Sequence, residues 1–289
     1  MTYTAQQLSL DEIKQFKESG FVHIKGVISK ELAESCAQTM IRFMGITDGD
    51  PESWRDLYFN AKRNRALDSQ QWDDPRQTRY NYKEYAPKLY YAMCDLMGGP
   101  ERLKSDGFRD NGVYTLSNPD IFKGNEDPES LWQPPVPRGA PGIWHVDGGP
   151  WFTHYLDSSE VGLLVLILYR DTHKKGGATY FAPESPKIVS NYYNDTRNGT
   201  QPNSTWVIEQ CSDFRAAVGK AGDAFILHPF MMHSGNMNVF PTPRLMENDN
   251  VSFHGEAMKF DWDNYDDASI VEQSILDHIG VTSLDFQRK

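Results

Sequence analysis

Cysteine is scarce in this chain. Cys36, Cys94 and Cys211 are the whole complement, odd in number, far apart and without a Cys-x-x-Cys pair. A disulfide framework is thereby excluded, and a reducing compartment, simply the cytoplasm, is expected. Also lacking is any run approaching the ~18 apolar residues that a membrane-crossing helix needs. Met1–Gln7 shows no basic-then-apolar leader pattern, so neither secretion nor a membrane span is expected. The Asn-x-Ser/Thr triplets at Asn194, Asn198 and Asn203 then read as polar loop chemistry. Positive charge is in short supply: 29 Lys and Arg stand against 40 Asp and Glu, a net charge of −11. That balance argues against nucleic acid or an anionic membrane as partner. No internal repeat or low-complexity tract interrupts the chain, and nothing in it speaks to oligomeric state.

What is present suits a folded domain rich in β-structure. Of 289 residues 39% are hydrophobic and 24% charged, and 14 Tyr, 15 Phe and 7 Trp supply bulk for a core or an apolar pocket. Ser9-Leu10-Asp11-Glu12 is a capping box ahead of a helix that Gly20 ends, and Phe21 to Ile28 reads as a strand. Ser29 caps a helix to about Met44, helical pieces are expected around Trp54 to Asn60, and a further helix spans about Tyr82 to Met97 before Gly98-Gly99-Pro100. After the short strand Val113–Leu116 and a Pro- and Gly-rich loop from Asn118 to Pro141, strands follow at short intervals. They are expected at Val161–Tyr169, within the turn-then-strand stretch Gly176–Pro183, and at Thr205–Ile208, Arg215–Val218, Asp223–His228, Met231–Val239 and Leu245–Phe253, with a helix near Ser185–Tyr193 and a last helix from Ser269 to His278. Helices first and strands afterwards predict a mainly β fold with flanking α-helices, a jelly roll or antiparallel barrel. We read one domain: a largely helical buttress over 1–110, the jelly-roll core over 111–265, and a C-terminal helix over 266–289.

The chemistry centres on Trp144-His145-Val146-Asp147-Gly148-Gly149-Pro150. In extended backbone alternate side chains share a face, so His145 and Asp147 can offer an imidazole and a carboxylate to one metal ion. Taken alone, such a pair is more often a hydrogen-bonded strand pair. A second histidine from a neighbouring strand would complete the two-histidine, one-carboxylate set of non-haem iron(II) oxygenases. His23 and His278 read as structural or surface residues and His173 as solvated, and the contest for the third ligand is between His228 and His233. His233 is preferred, because Arg244 follows it across a Pro-containing turn and a guanidinium fork is the partner for a carboxylate-bearing cosubstrate.

These residues resemble the iron(II)/2-oxoglutarate-dependent oxygenases, specifically the phytanoyl-CoA dioxygenase-like branch, over most of the chain. Phe16 to Val27 looks like that family's helix-to-strand entry. His145-Val146-Asp147 matches its metal motif with His233 as the distal ligand, and Arg244, eleven residues on, fits its 2-oxoglutarate-binding arginine. Tyr169-Arg170-Asp171-Thr172 and Gly176-Gly177-Ala178-Thr179 look like its central strand and following turn. Where the family often has Pro-Gly-Ser-His, this chain has Pro183-Glu184-Ser185-Pro186. The resemblance implies a double-stranded β-helix of the cupin kind, Fe(II), 2-oxoglutarate and O2 as cofactor and cosubstrates, and release of succinate and CO2 as a C–H bond is oxidised. It also implies that a carboxylate at Asp147 favours hydroxylation, desaturation or ring chemistry over halogenation, since halogenating relatives have a small non-ligating residue there.

Further candidates are Tyr114 and Thr115 for the cosubstrate, and Trp144, Trp151, Phe152 and His154 for the substrate pocket, with core packing as the alternative for each. The aromatic flanks and acidic balance point to a small to medium, largely apolar organic substrate. Two other readings fit the same residues: a cupin-like metalloenzyme that uses no 2-oxo acid, and a non-catalytic binding module on the same fold.

Overall fold

The computed structural model describes residues 7–60, 77–135, 144–148, 153–255 and 257–289. Helix α1 (Leu10–Ser19) starts at Ser9, whose hydroxyl accepts the Glu12 N–H while the Glu12 carboxylate reaches back, and it stops at Gly20 in the left-handed region. Strand β1 (Phe21–Ile24) and helix α2 (Lys30–Met44) follow. After α3 (Arg55–Asn60) and β2 (Arg79–Asn81), the helix expected over Tyr82–Met97 divides into α4 (Tyr82–Tyr85) and α5 (Pro87–Met97). Pro87 explains the break: it sets α5's first turn and pushes Ala86 out of helical geometry (φ −140°, ψ 55°).

The remaining elements are β3 (Gly107–Arg109), β4 (Val113–Thr115), β5 (Leu163–Leu168), β6 (Tyr180–Phe181), α6 (Ser185–Thr196), α7 (Ser204–Ile208), β7 (Arg215–Ala216), β8 (Ala224–Leu227), β9 (His233–Ser234), β10 (Arg244–Val251) and α8 (Ile270–Ile279). The strand expected over Thr205–Ile208 is instead helix α7. Asn203 caps it by accepting the Trp206 N–H, a local bond that outweighs the β-propensity of Thr, Trp, Val and Ile.

An antiparallel five-stranded sheet runs β1-β8-β5-β10-β4 and a three-stranded sheet runs β7-β6-β9. Alternation along β5 divides the core. Leu163, Val165 and Ile167 join the cluster that includes α2, α5 and α8, whereas Leu164, Leu166 and Leu168 meet Phe181, Ala217 and Met246 between the two sheets. This double-sheet arrangement is the jelly roll of the sequence reading. The 1–110 region does more than buttress it, because β1 forms one edge of the larger sheet.

Gly112 shows how closely the layers approach. A Cβ there would lie 1.9 Å from the Met246 carbonyl oxygen, so the chain entering β4 can pass β10 only without a side chain.

Candidate metal centre and cosubstrate site

His233 opens the two-residue strand β9 and lies opposite Phe181 of β6 on one side and His145 on the other. His145 and His233 exchange both backbone hydrogen bonds, at 3.0 and 2.9 Å. A directly opposed antiparallel pair projects its side chains to the same face, and the two imidazole centroids are 4.3 Å apart. Asp147 comes from a turn and not from an extended strand, yet it completes the group. Its Oδ1 is 3.4 Å from Nε2 of His145 and 3.4 Å from Nε2 of His233. One ligand atom from each of the three residues lies within 4.8 Å of the others, a spacing that a single metal ion can bridge. They are the one such group of three or more ligating side chains among the described residues.

The electrostatics agree with a cation site. Burial opposes a charge on Asp147, but His233 and His145 beside it outweigh that and hold the carboxyl far below its usual range. Nδ1 of His233 is 3.1 Å from the Met231 carbonyl. That contact assigns the ring proton to Nδ1, and it leaves Nε2, buried and without a hydrogen bond, as the ligating nitrogen. His228, the rejected candidate, lies elsewhere: it is fully buried beside Phe16, Phe230 and His278, and its Nδ1 accepts the Phe230 N–H.

Arg244 begins β10 directly opposite Thr115 of β4. The guanidinium is 4% exposed, donates from Nη2 to Thr115 Oγ1 at 2.5 Å and from Nε to the Gly177 carbonyl at 3.0 Å, and keeps Nη1 buried without a partner. None of the ion pairs among the described residues involves it, and burial pushes its pKa down to about 10. A buried cation that lacks an anion is costly, and a carboxylate arriving from outside the chain would supply what is missing.

Two residues of this arrangement escaped the sequence reading. Gly177, at φ +79°, supplies the carbonyl that fixes Arg244. Asn238 donates Nδ2 to the carbonyls of Thr115 and Thr242 and so ties β4 to the turn before Arg244. Gly177 carried a weak signal, as the second glycine of a Gly-Gly turn; Asn238 carried none.

The structure brings together His145, Asp147 and His233 at one point, and Arg244 with Thr115 at another. Tyr114 is not part of the second group. It pairs with Leu245 and, by alternation, enters the helix-side core, away from Arg244. Trp144 packs against Phe214 with centroids 5.5 Å apart and donates its indole N–H to the Pro135 carbonyl, contacts that account for its burial as core. His154 is fully buried, stacked on Tyr193 at 5.5 Å and 14° and set edge-on to Phe230, contacts that account for its burial as core. Trp151 and Phe152 lie outside the described residues. The family-divergent Glu184 accepts the backbone N–H groups of Ser212 and Asp213 and so anchors the approach to β7.

The family model described as Phytanoyl-CoA dioxygenase (PhyH) matches residues 16–246. The chain belongs to this family, and with the His145–Asp147–His233 group it is an enzyme of the iron(II)- and 2-oxoglutarate-dependent dioxygenase type. Among solved structures it is similar to the non-heme alpha ketoglutarate dependent carbocyclase SnoK from nogalamycin biosynthesis, at 16% identity and TM-score 0.50, covering 89% of this chain and 88% of that one. It is also similar to EctD from S. alaskensis with 2-oxoglutarate and 5-hydroxyectoine, at 14% identity and TM-score 0.47, covering 85% and 76%. At such identities the likeness concerns the fold. No curated protein matches the chain. Among the described residues no helix is long and apolar enough to cross a membrane.

Proposed function

We propose that the chain oxidises, most simply by hydroxylation, a C–H bond of a small to medium organic substrate, with 2-oxoglutarate as cosubstrate and release of succinate and CO2. His145, Asp147 and His233 hold iron(II), and Arg244 holds the distal carboxylate of 2-oxoglutarate. The observation that supports this reading is Arg244, a buried guanidinium with one nitrogen unpartnered and no anion beside it among the described residues, set by Thr115 and Gly177.

Two imidazoles and one carboxylate are a donor set that would hold iron(II), with a 2-oxo acid and dioxygen as its reactants. When bound, iron supplies the dioxygen activation that side chains alone cannot. The chain's own residues bind and orient. Asp147 stays ionised, the Met231 carbonyl fixes the His233 ring, and the Thr115 hydroxyl and Gly177 carbonyl hold the Arg244 fork for bidentate pairing. Since Trp144 is packed in the core, support for an apolar substrate comes from the remaining flank and the net charge of −11.

The test is succinate formation from 2-oxoglutarate by the iron-loaded chain, with anaerobic iron(II) titration beside it. We expect turnover in the wild type, its loss in Arg244→Ala at 2-oxoglutarate concentrations near the wild-type KM, and iron binding in both. Iron binding without any 2-oxoglutarate turnover would assign the centre to another metalloenzyme chemistry. Failure to bind iron would leave a binding module.

A further inference from the structure

Gly235 lies two residues beyond His233, and neither usual reason for a glycine applies to it. One reason is a positive φ, which L side chains rarely adopt; the other is close approach of a neighbouring group. Gly107, Gly112, Gly162, Gly176 and Gly219 have an ordinary φ but are pressed by backbone or side chains, and the glycines with open space around them have a positive φ. Among the described glycines Gly235 alone has both an ordinary φ and nothing within 4 Å of where its Cβ would stand. It is exposed, although Ser234 before it and Asn236 after it are buried, at 0% and 6%. The backbone would accept alanine here, so the missing side chain serves something other than the fold.

The pairing of β9 with β6 shows where this open space lies. His233 stands opposite Phe181 and Ser234 opposite Tyr180, and the same register reaches Asn238 opposite Gly176. Gly235 therefore falls opposite Thr179, on the face of the small sheet that carries His233 and Phe181. That face looks into the jelly roll. Phe181 joins the core between the sheets, and the Thr179 hydroxyl is 3.8 Å from Sδ of Met246, which follows Arg244 by two residues on β10. One step further along this face of β6 comes Gly177, whose carbonyl holds Arg244 Nε. The inner face thus runs from the His233–Phe181 pair through Gly235–Thr179 to Gly177. The open position stands between a candidate metal ligand and the group that fixes the arginine.

We infer that Gly235 sizes the cosubstrate site: its bare backbone keeps open the passage that a 2-oxo diacid needs to reach Arg244 from the metal centre. The carbons between the two acid ends of 2-oxoglutarate are the part that passes it, and a side chain there narrows the passage. This rests on the iron and 2-oxoglutarate reading above.

The test compares full-length wild type, Gly235→Ala and Gly235→Val in three measurements. These are melting temperature without metal, iron(II) affinity in anaerobic titration without 2-oxo acid, and the Kd of 2-oxoglutarate for the iron-loaded chain in anaerobic calorimetry. Alanine at a permitted φ restricts the unfolded chain, so metal-free Gly235→Ala should melt no lower than wild type. Iron affinity should be unchanged in both variants. The Kd of 2-oxoglutarate should rise roughly 10-fold with alanine and ~100-fold with valine, as expected when methyl groups are forced into space that a ligand fills. An unchanged Kd in Gly235→Val overturns the proposal. A lower melting temperature in Gly235→Ala also overturns it, because the glycine then serves packing. So does a loss of iron affinity as large as the loss of cosubstrate, because the effect then lies at the metal. Wild-type chain that binds iron but no 2-oxoglutarate overturns the cosubstrate reading as well, whereas the other outcomes leave that reading standing.

Discussion

His145 and His233 are hydrogen-bonded to each other through their backbones and face Asp147 with their imidazoles, so one cross-strand pair is both a structural bridge and two thirds of the candidate ligand set. The structural part uses main-chain atoms alone. Substituting a side chain should therefore separate the two roles.

His145→Ala should abolish high-affinity iron binding while leaving the metal-free protein nearly as stable as wild type. The His145 side chain is 45% exposed, so its truncation should change stability by no more than roughly 0.5 kcal/mol, a degree or two in melting temperature. Calorimetry of the apo proteins together with anaerobic iron titration checks both halves. A melting temperature many degrees lower would show that the ring is needed to hold the bridge.

Arg244→Ala should raise the KM for 2-oxoglutarate by at least ~30-fold. Truncating one partner of a buried charge pair costs about 2–5 kcal/mol, and Arg244 is buried beside groups that only orient it. Thr115→Val should cost far less, several-fold in KM, since a single hydrogen bond is worth roughly 1 kcal/mol. Iron affinity measured without cosubstrate should be the same in both variants and wild type.

Gly177→Ala should act on the cosubstrate and not on the metal. At φ +79° an L-residue is strained by roughly 1–2 kcal/mol, and its Cβ would meet Cβ of Thr115 at 2.8 Å. Displacing Thr115 loosens its bond to Arg244. The readout is KM for 2-oxoglutarate against iron affinity, and a loss of iron binding with unchanged KM would contradict the assignment.

Acid should destabilise the protein through the His228–His278 pair, whose ring centroids are 5.3 Å apart. Burial depresses His228 well below the ordinary 6.5, with His278 adding to the effect, and burial takes His278 to about 4. In the unfolded chain both bind protons as pH falls through about 6.5. In the folded protein they do not until much lower pH, so the unfolded state holds more protons in between and stability falls on acidification. The slope per group is at most about 1.4 kcal/mol per pH unit. Denaturant unfolding between pH 7 and 5 should show it, and His278→Gln should flatten it.

Most elements were legible from local rules. The capping box at Ser9, the helix start at Ser269 and the stops at Gly20 and Gly98 gave helix ends to within a residue or two. The apolar run at 161–169 became the fully buried β5, because a strand buried on both faces shows no alternation. Misreadings came where one side-chain bond outweighed propensity, as at Asn203, or where pairing was shorter than the extended chain. The strand expected over Met231–Val239 is ladder only at His233–Ser234, and the described part of the metal motif, residues 144–148, contributes a single bridge at His145. That His145, Asp147 and His233 would meet was readable because metal chemistry restricts the residue types. Tyr114 was chosen as a neighbour of Thr115, but alternation turns it the other way. Asn238 could not have been found, since its contacts are carbonyls that any sequence possesses.

His233, the candidate ligand that lies in a strand, and Arg244 occupy different sheets: His233 the three-stranded one and Arg244 the five-stranded one. A 2-oxo acid held at both ends would therefore be a removable cross-link between the two layers of the jelly roll. Mass action then makes the protein's resistance to heat a gauge of site assembly. 2-Oxoglutarate with iron(II) should raise the melting temperature by more than the two ligands do separately. A monocarboxylic 2-oxo acid, which cannot span to Arg244, should give only the metal's share.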